Sequence, residues 1–172
     1  RAAATFSPEK ERVAALLTTT LPGAVLLHEG QFEGRKVRLP VFLSRRPVEP
    51  PDPGLQKFYV TLLDAIANDG VRKGEWRLCE REGWPDNQSY LNIVAWCWTG
   101  ENSRHLVIVN LGDSSSQARV QVAGDGIRGR KWRLVDVLSS ETWDRDGDEI
   151  GGVGLYFDLG PWGYNFFRLE PL

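Results

Sequence analysis

The stretch Thr18-Thr-Thr-Leu-Pro-Gly-Ala-Val-Leu-Leu-His-Glu-Gly-Gln-Phe-Glu-Gly34 decides how the rest of the chain is read. Pro22 and Gly23 interrupt any helix arriving from the N-terminal side, since proline lacks a backbone N–H and glycine costs backbone entropy. Residues 24–27 are then an unbroken apolar run, and 28–34 turn polar and glycine-rich. A continuous apolar run suits a strand buried on both faces of a parallel sheet, although a run this short also fits a piece of buried helix. The flanks favour the strand, because helical patterns stand on both sides of it. Helix, buried strand, polar loop, helix is the layout of an α/β barrel, whose functional groups gather on the loops after the strands.

Working outward, residues 1–6 read as a lead-in. Ser7-Pro8-Glu9 supplies a hydroxyl cap, a proline at the first helical position and an acid in the first turn. Val13, Leu16, Leu17 and Thr20 follow at three- and four-residue spacing, so the pattern predicts a helix over 9–20 that stops at Leu21-Pro22. On the other side, 35–53 is a long connection stiffened by Pro40, Pro47, Pro50, Pro51 and Pro53. Such a loop reads either as a cleft wall or as a plain surface crossing. Leu55, Phe58, Tyr59, Leu62, Leu63 and Ile66 then make a helical stripe over 54–68, closed by Asp69-Gly70.

After Gly70 the pattern changes. Short apolar runs recur at 75–79, 91–98, 105–110, 118–123, 131–138, 154–159 and 164–169, separated by turn clusters such as 83–87, 112–114, 124–126 and 146–148. Seven or eight strands at this spacing predict an antiparallel β-sandwich. The chain therefore divides near 70–73 into 1–70, a helix-strand-helix unit, and 71–172, the sandwich. The overall class is α+β.

The bulk composition narrows the function by exclusion. With 172 residues, 41% hydrophobic, 26% charged and a net charge of −2, the chain is an ordinary globular protein without a basic stripe for nucleic acid or anionic membrane. No apolar run approaches the roughly 20 residues that cross a bilayer. The sequence opens on Arg1 and contains no methionine, so it reads as a piece of a longer polypeptide whose targeting segment is not in view. Cys79 and Cys97 read as two buried thiols or as a cross-strand bridge, and two cysteines without a disulfide framework favour the cytoplasm.

Pro22-Gly23, the apolar 25–27 and the loop Gly30-Gln31-Phe32-Glu33-Gly34 resemble the last barrel strand of the α-amylase superfamily, glycoside hydrolase family 13. Val25 stands where that family often has a second proline, Leu27-His28 replaces its tyrosine pair, and Phe32 displaces its glutamate. The helix over 54–68 resembles the family's final barrel helix. Phrases in the second half, 106–111 (LVIVNL) and 132–138 (WRLVDVL), are similar to its C-terminal sandwich. The resemblance implies the last helix-strand-helix of a (β/α)8 barrel followed by an antiparallel β-sandwich, taken from an enzyme that acts on α-glucosidic bonds. It implies that the catalytic Asp, Glu and Asp lie upstream. Residues 1–6 resemble the stretch just past the family's His-Asp motif, so no catalytic residue is expected here and the chain alone should be silent. A quarter barrel leaves an apolar face, to be covered by the rest of the barrel, a second copy or the sandwich.

The residues expected to face an α-glucan are His28, Glu29, Gln31, Glu33 and Arg35 on the wall 28–38, with Trp84 as an exposed ring. Glu29 and Glu33 could converge as a carboxylate pair, but they read as loop-ordering or subsite-wall residues. His28 reads as a sugar contact or a structural histidine, and His105, inside an apolar run, as a packed residue. Of the seven tryptophans, Trp96 and Trp98 look like core, Trp84 and Trp162 stand beside prolines in turns, and only Trp84 and Trp143 look exposed. Residues 144–149 (DRDGDE) suggest calcium, yet their spacing does not fit the Ca²⁺ loop and an Asp-Gly hairpin turn explains them. No set of Cys and His has metal-ligand spacing, and no nucleophile triad or phosphate-binding glycine loop is present. No cofactor or metal is expected. A non-catalytic carbohydrate-binding module, or an assembly role, is the alternative reading.

Overall fold

A computed structural model describes residues 1–172 other than 40, 41, 43, 44, 46, 69, 123 and 125. Pro40, Asp69, Ala123 and Asp125, which belong to the loop, helix-end and turn expectations above, lie outside the described residues. Residues expected as a lead-in wind into a single turn, α1 (Ala2–Thr5). Helix α2 (Pro8–Thr20) starts as its sequence dictates. Ser7 is the cap, its Oγ accepts from Lys10 N at 3.4 Å, and Pro8 occupies the first position. Helix α3 (Pro53–Asn68) buries Leu55, Tyr59 and Leu62 of the stripe read from the sequence, together with Ala65, and leaves Phe58, Leu63 and Ile66 half-buried.

Among the described residues nine strands follow: β1 (Glu75–Leu78), β2 (Arg81–Glu82), β3 (Ile93–Thr99), β4 (Arg104–Asn110), β5 (Ser116–Val120), β6 (Lys131–Asp136), β7 (Thr142–Asp146), β8 (Leu155–Leu159) and β9 (Tyr164–Pro171). They form two antiparallel sheets, six strands in the order β1-β3-β4-β9-β6-β7 and three in the order β2-β5-β8. Two of the strands, β2 and β7, have no apolar run. The hairpin turn expected at 146–148 is instead the end of β7 and a one-turn helix, α4 (Gly147–Ile150). Asp146 caps that turn by accepting from Asp148 N at 2.8 Å. A Cβ on Gly147 would meet the carbonyl oxygen of Ile127 at 2.0 Å, which is why glycine stands there.

The large sheet is covered on both sides, and this explains its unbroken apolar runs. In β4, Leu106 and Ile108 join the core between the two sheets, while Val107 and Val109 join a second core under α2 and α3. Strand β3 divides likewise, Ile93, Ala95 and Cys97 to one side and Trp96 and Trp98 to the other, as does β9 with Phe167 and Phe166. The order of layers is thus helices, six-stranded sheet, three-stranded sheet. Cys79 and Cys97 lie in the inter-sheet core with sulfurs 3.1 Å apart. Register pairs Cys97 with Arg77, so Cys79 stands diagonally across from it.

Residues 24–27 take up an extended path but enter neither sheet, and Leu26 is 86% exposed. The expectation of burial on both faces is corrected here. A parallel strand is covered only when strands flank it and helices lie on both faces, and the described residues supply no flanking strand.

Candidate functional site

The loop after residues 24–27 is fixed at its near end by the sandwich. The indole Nε1 of Trp98 donates to the carbonyl of Thr20 at 2.6 Å, at the last turn of α2, where carbonyls lack helical partners. Arg72 Nη2 donates to the carbonyl of Gly23. At its far end the loop is fixed by Gln31. Its Oε1 accepts from His28 N at 3.0 Å and its Nε2 donates to the hydroxyl of Tyr59 at 2.7 Å. Phe32 adds a tilted ring contact to Tyr59 at 4.8 Å. Burial pushes the Tyr59 phenol up, and the bond from Gln31 acts against that. Within the loop, Gln31 N donates to His28 O and Arg35 N to Gly30 O, at 3.0 and 2.9 Å. Gly30 adopts φ +78°, and a Cβ there would stand 2.7 Å from Arg35 Cδ, so the turn requires glycine.

These bonds shape a cleft of about 530 Å³ between the loop and the start of α2, and His28, Glu29, Gln31 and Arg35 all line it. Arg1 joins them: its Nη2 pairs with Glu29 Oε2 at 3.2 Å, and its Nη1 donates to the Glu29 carbonyl. His28 Nδ1 lies 3.1 Å from Arg1 Nη1 and 3.0 Å from Glu29 O. Carrying a proton it donates to the carbonyl; without one it accepts from the guanidinium. The cleft thus offers cationic donors and carboxylate acceptors together, the mixed set that hydroxyl groups can satisfy.

The sequence reading passed over the carboxyl at the cleft's floor. Glu11 is 5% exposed, lines the cleft from α2, and its Oε1 has no hydrogen-bond partner among the described residues. Burial holds its carboxyl above the usual range, with the negative charge of Asp52 adding to that and Lys36 opposing it. In sequence it is one more charge in a charged first turn; only the packing of 28–35 against that turn distinguishes it.

Two nominated residues stand elsewhere. Glu33 does not line this cleft, and its carbonyl accepts from Asp52 N at 3.0 Å, which ties the loop to the start of α3. Glu29 and Glu33 are therefore not brought into one cleft. Trp84 lies on the sandwich, edge-on to Tyr156 at 5.9 Å. His105 is packed, its ring 5.9 Å from that of Phe166. Trp162 joins the helix layer to the sandwich, with Lys10 Nζ 4.4 Å above its ring. Among the described residues no group of three or more His, Cys, Asp or Glu is placed to hold a metal ion.

No family model matches the sequence, and no curated protein matches it. Solved structures do. The whole chain superposes on a noncanonic maltogenic α-amylase from Thermotoga neapolitana with a TM-score of 0.73 at 14% identity, covering 39% of that chain. An Anoxybacillus α-amylase matches over 95% of this chain and 33% of its own, with a TM-score of 0.66 at 12% identity. A Nostoc punctiforme debranching enzyme matches over 92% of this chain and 29% of its own, with a TM-score of 0.59 at 18% identity. The chain shares the fold of α-amylase-type glycoside hydrolases over part of their length, and it spans well under half of each.

Proposed function

We propose that this chain is the barrel end and terminal β-sandwich of a glycoside hydrolase acting on α-glucosidic bonds. Residues 1–70 belong to the barrel and 71–172 to the sandwich. The loop 28–38 forms one wall of the substrate cleft, with His28, Glu29, Gln31 and Arg35 toward sugar hydroxyls, and the helices and sandwich brace it. The observation that carries this reading is the end-to-end structural match to α-amylases. The run 24–27, which enters neither sheet and leaves Leu26 86% exposed, supports it as the place where further barrel strands, or a second copy, would pair. Among the described residues no helix is long and apolar enough to cross a membrane.

The division of labour is testable by assay. The 172-residue chain incubated with maltooligosaccharides should release no new reducing ends, because the carboxylate pair of a retaining mechanism lies outside it. The full polypeptide that carries it should release them. Turnover by the short chain, or none by the full polypeptide on any α-glucan, would overturn the proposal.

A further inference from the structure

The two sheets differ in width, and the mismatch builds a second cleft far along the chain from the loop. The six-stranded sheet ends at β7 and the three-stranded sheet at β8. A cleft of about 170 Å³ opens between these edges, with Trp143 and Arg145 of β7 on one side and Phe157 and its neighbours in β8 on the other. All five residues of β8 line it, inward- and outward-facing alike, so it runs along that strand's open edge. Its floor is aromatic. Trp143 meets Phe167 edge-on at 5.4 Å, and Phe157 lies 6.0 Å from the same ring. Its rim is polar, from Arg145, Asp158 and Asn165.

Aromatic and aliphatic side chains interleaved with polar groups suit a small ligand that has both C–H faces and hydroxyls. A hexose matches it: C–H faces lie against aromatic rings and hydroxyls meet the rim. An added peptide strand matches it poorly, because Asp144, Arg145 and Asp146 put three charges on the adjoining edge, the usual guard against strand addition. Among the described residues Arg145 makes one hydrogen bond, from Nη1 to the Asp144 carbonyl at 2.9 Å, so most of its N–H groups are available. Tyr156, 49% exposed at the lip, carries Trp84 beyond it and extends the aromatic surface outward.

We propose that the cleft between β7 and β8 is an auxiliary binding site for one hexose unit of a glucan, separate from the loop cleft. The choice of an α-linked glucan rests on the function proposed above; the hexose site itself does not. The test is a titration of the ¹⁵N-labelled 172-residue chain with maltotriose, and with β-linked cellotriose as a second arm. Maltotriose should shift the Trp143 indole and the amides of 155–159 with a Kd of about a millimolar. Trp143→Ala should weaken this at least about tenfold. Arg145→Ala, a change on an exposed side chain that leaves the core intact, should weaken it severalfold. Cellotriose shifting the same residues when maltotriose does not would support the hexose site and remove the α-linkage. No shift with either sugar, shifts elsewhere, or shifts untouched by Arg145→Ala would overturn the proposal. So would shifts at β8 that grow with protein concentration in the absence of sugar, which would assign the cleft to a second copy.

Discussion

Residues 24–39 and residues 93–110 both begin from unbroken apolar runs, and they reach opposite ends. In β3 and β4 alternate side chains enter two different cores, and nearly every residue is buried. In 24–39 Leu26 and Val37 stand open and Leu27 is only half-buried, and order comes largely from a few polar bonds, Trp98 to Thr20, Arg72 to Gly23 and Gln31 to Tyr59, with Glu49 accepting from the amides of Lys36 and Val37. An apolar run thus says that a segment will be covered without saying by what. Strands β3 and β4 are covered by the small sheet on one face and by α2 and α3 on the other, whereas the loop relies on anchors placed by the sandwich and the helices.

The largest expected effect tests the half whose apolar runs are covered on both faces. Phe166 is fully buried in the core under the helices, and Phe166→Ala should cost about 3–5 kcal/mol in urea unfolding. A cost below ~1 kcal/mol would show that the helix layer is not part of the same cooperative unit. Next in size is Asn110→Ala. The Asn110 amide is wholly buried and donates to the carbonyls of Ser114 and Gly160 at 2.7 and 2.8 Å, while its Oδ1 accepts from Gly112 N at 2.9 Å. Its loss strands several buried groups, and about 2 kcal/mol is expected by the same measurement.

The anchors of the loop should behave differently. Gln31→Ala removes one side-chain bond at each end of that amide, so global stability should fall by only about 1 kcal/mol. Hydrogen exchange at the amides of Gln31, Gly34 and Arg35, which bond within the loop, should quicken about tenfold while β4 is unchanged. Equal quickening in both regions would erase the contrast between them.

The sandwich was legible because turn residues punctuate strands whose apolar content is dictated by burial. The strands missed, β2 and β7, lie at sheet edges, where exposed Glu82, Asp144 and Asp146 carry no apolar signal. Helix α2 was legible from its Ser7-Pro8-Glu9 start and the spacing of Val13, Leu16, Leu17 and Thr20. The loop's residues were legible as a polar, glycine-rich segment, and four of the six nominated side chains do share a cleft. What could not be read was which distant groups hold them. Trp98 and Thr20 are 78 positions apart and Gln31 and Tyr59 are 28 apart, and neither spacing leaves a periodicity. Glu11 escaped for the same reason, its burial being a property of the loop folded over it.

Glu11 also gives the finest test of the loop as a cover. Burial raises its carboxyl in the folded chain above the ordinary 4.5, so folding favours the protonated form. Its contribution to stability is fully present below that value and is lost as pH rises through the higher folded-state pKa. Glu11→Gln stays neutral throughout and should keep what the native side chain loses. The variant should melt about 1–2 °C higher than the native chain at pH 7, with the gap closing toward pH 4. No gap at pH 7 would mean that a cation of the cleft already neutralises the carboxylate. The loop would then stabilise the charge on its floor instead of merely shutting water out, and the contrast with the sandwich cores would narrow.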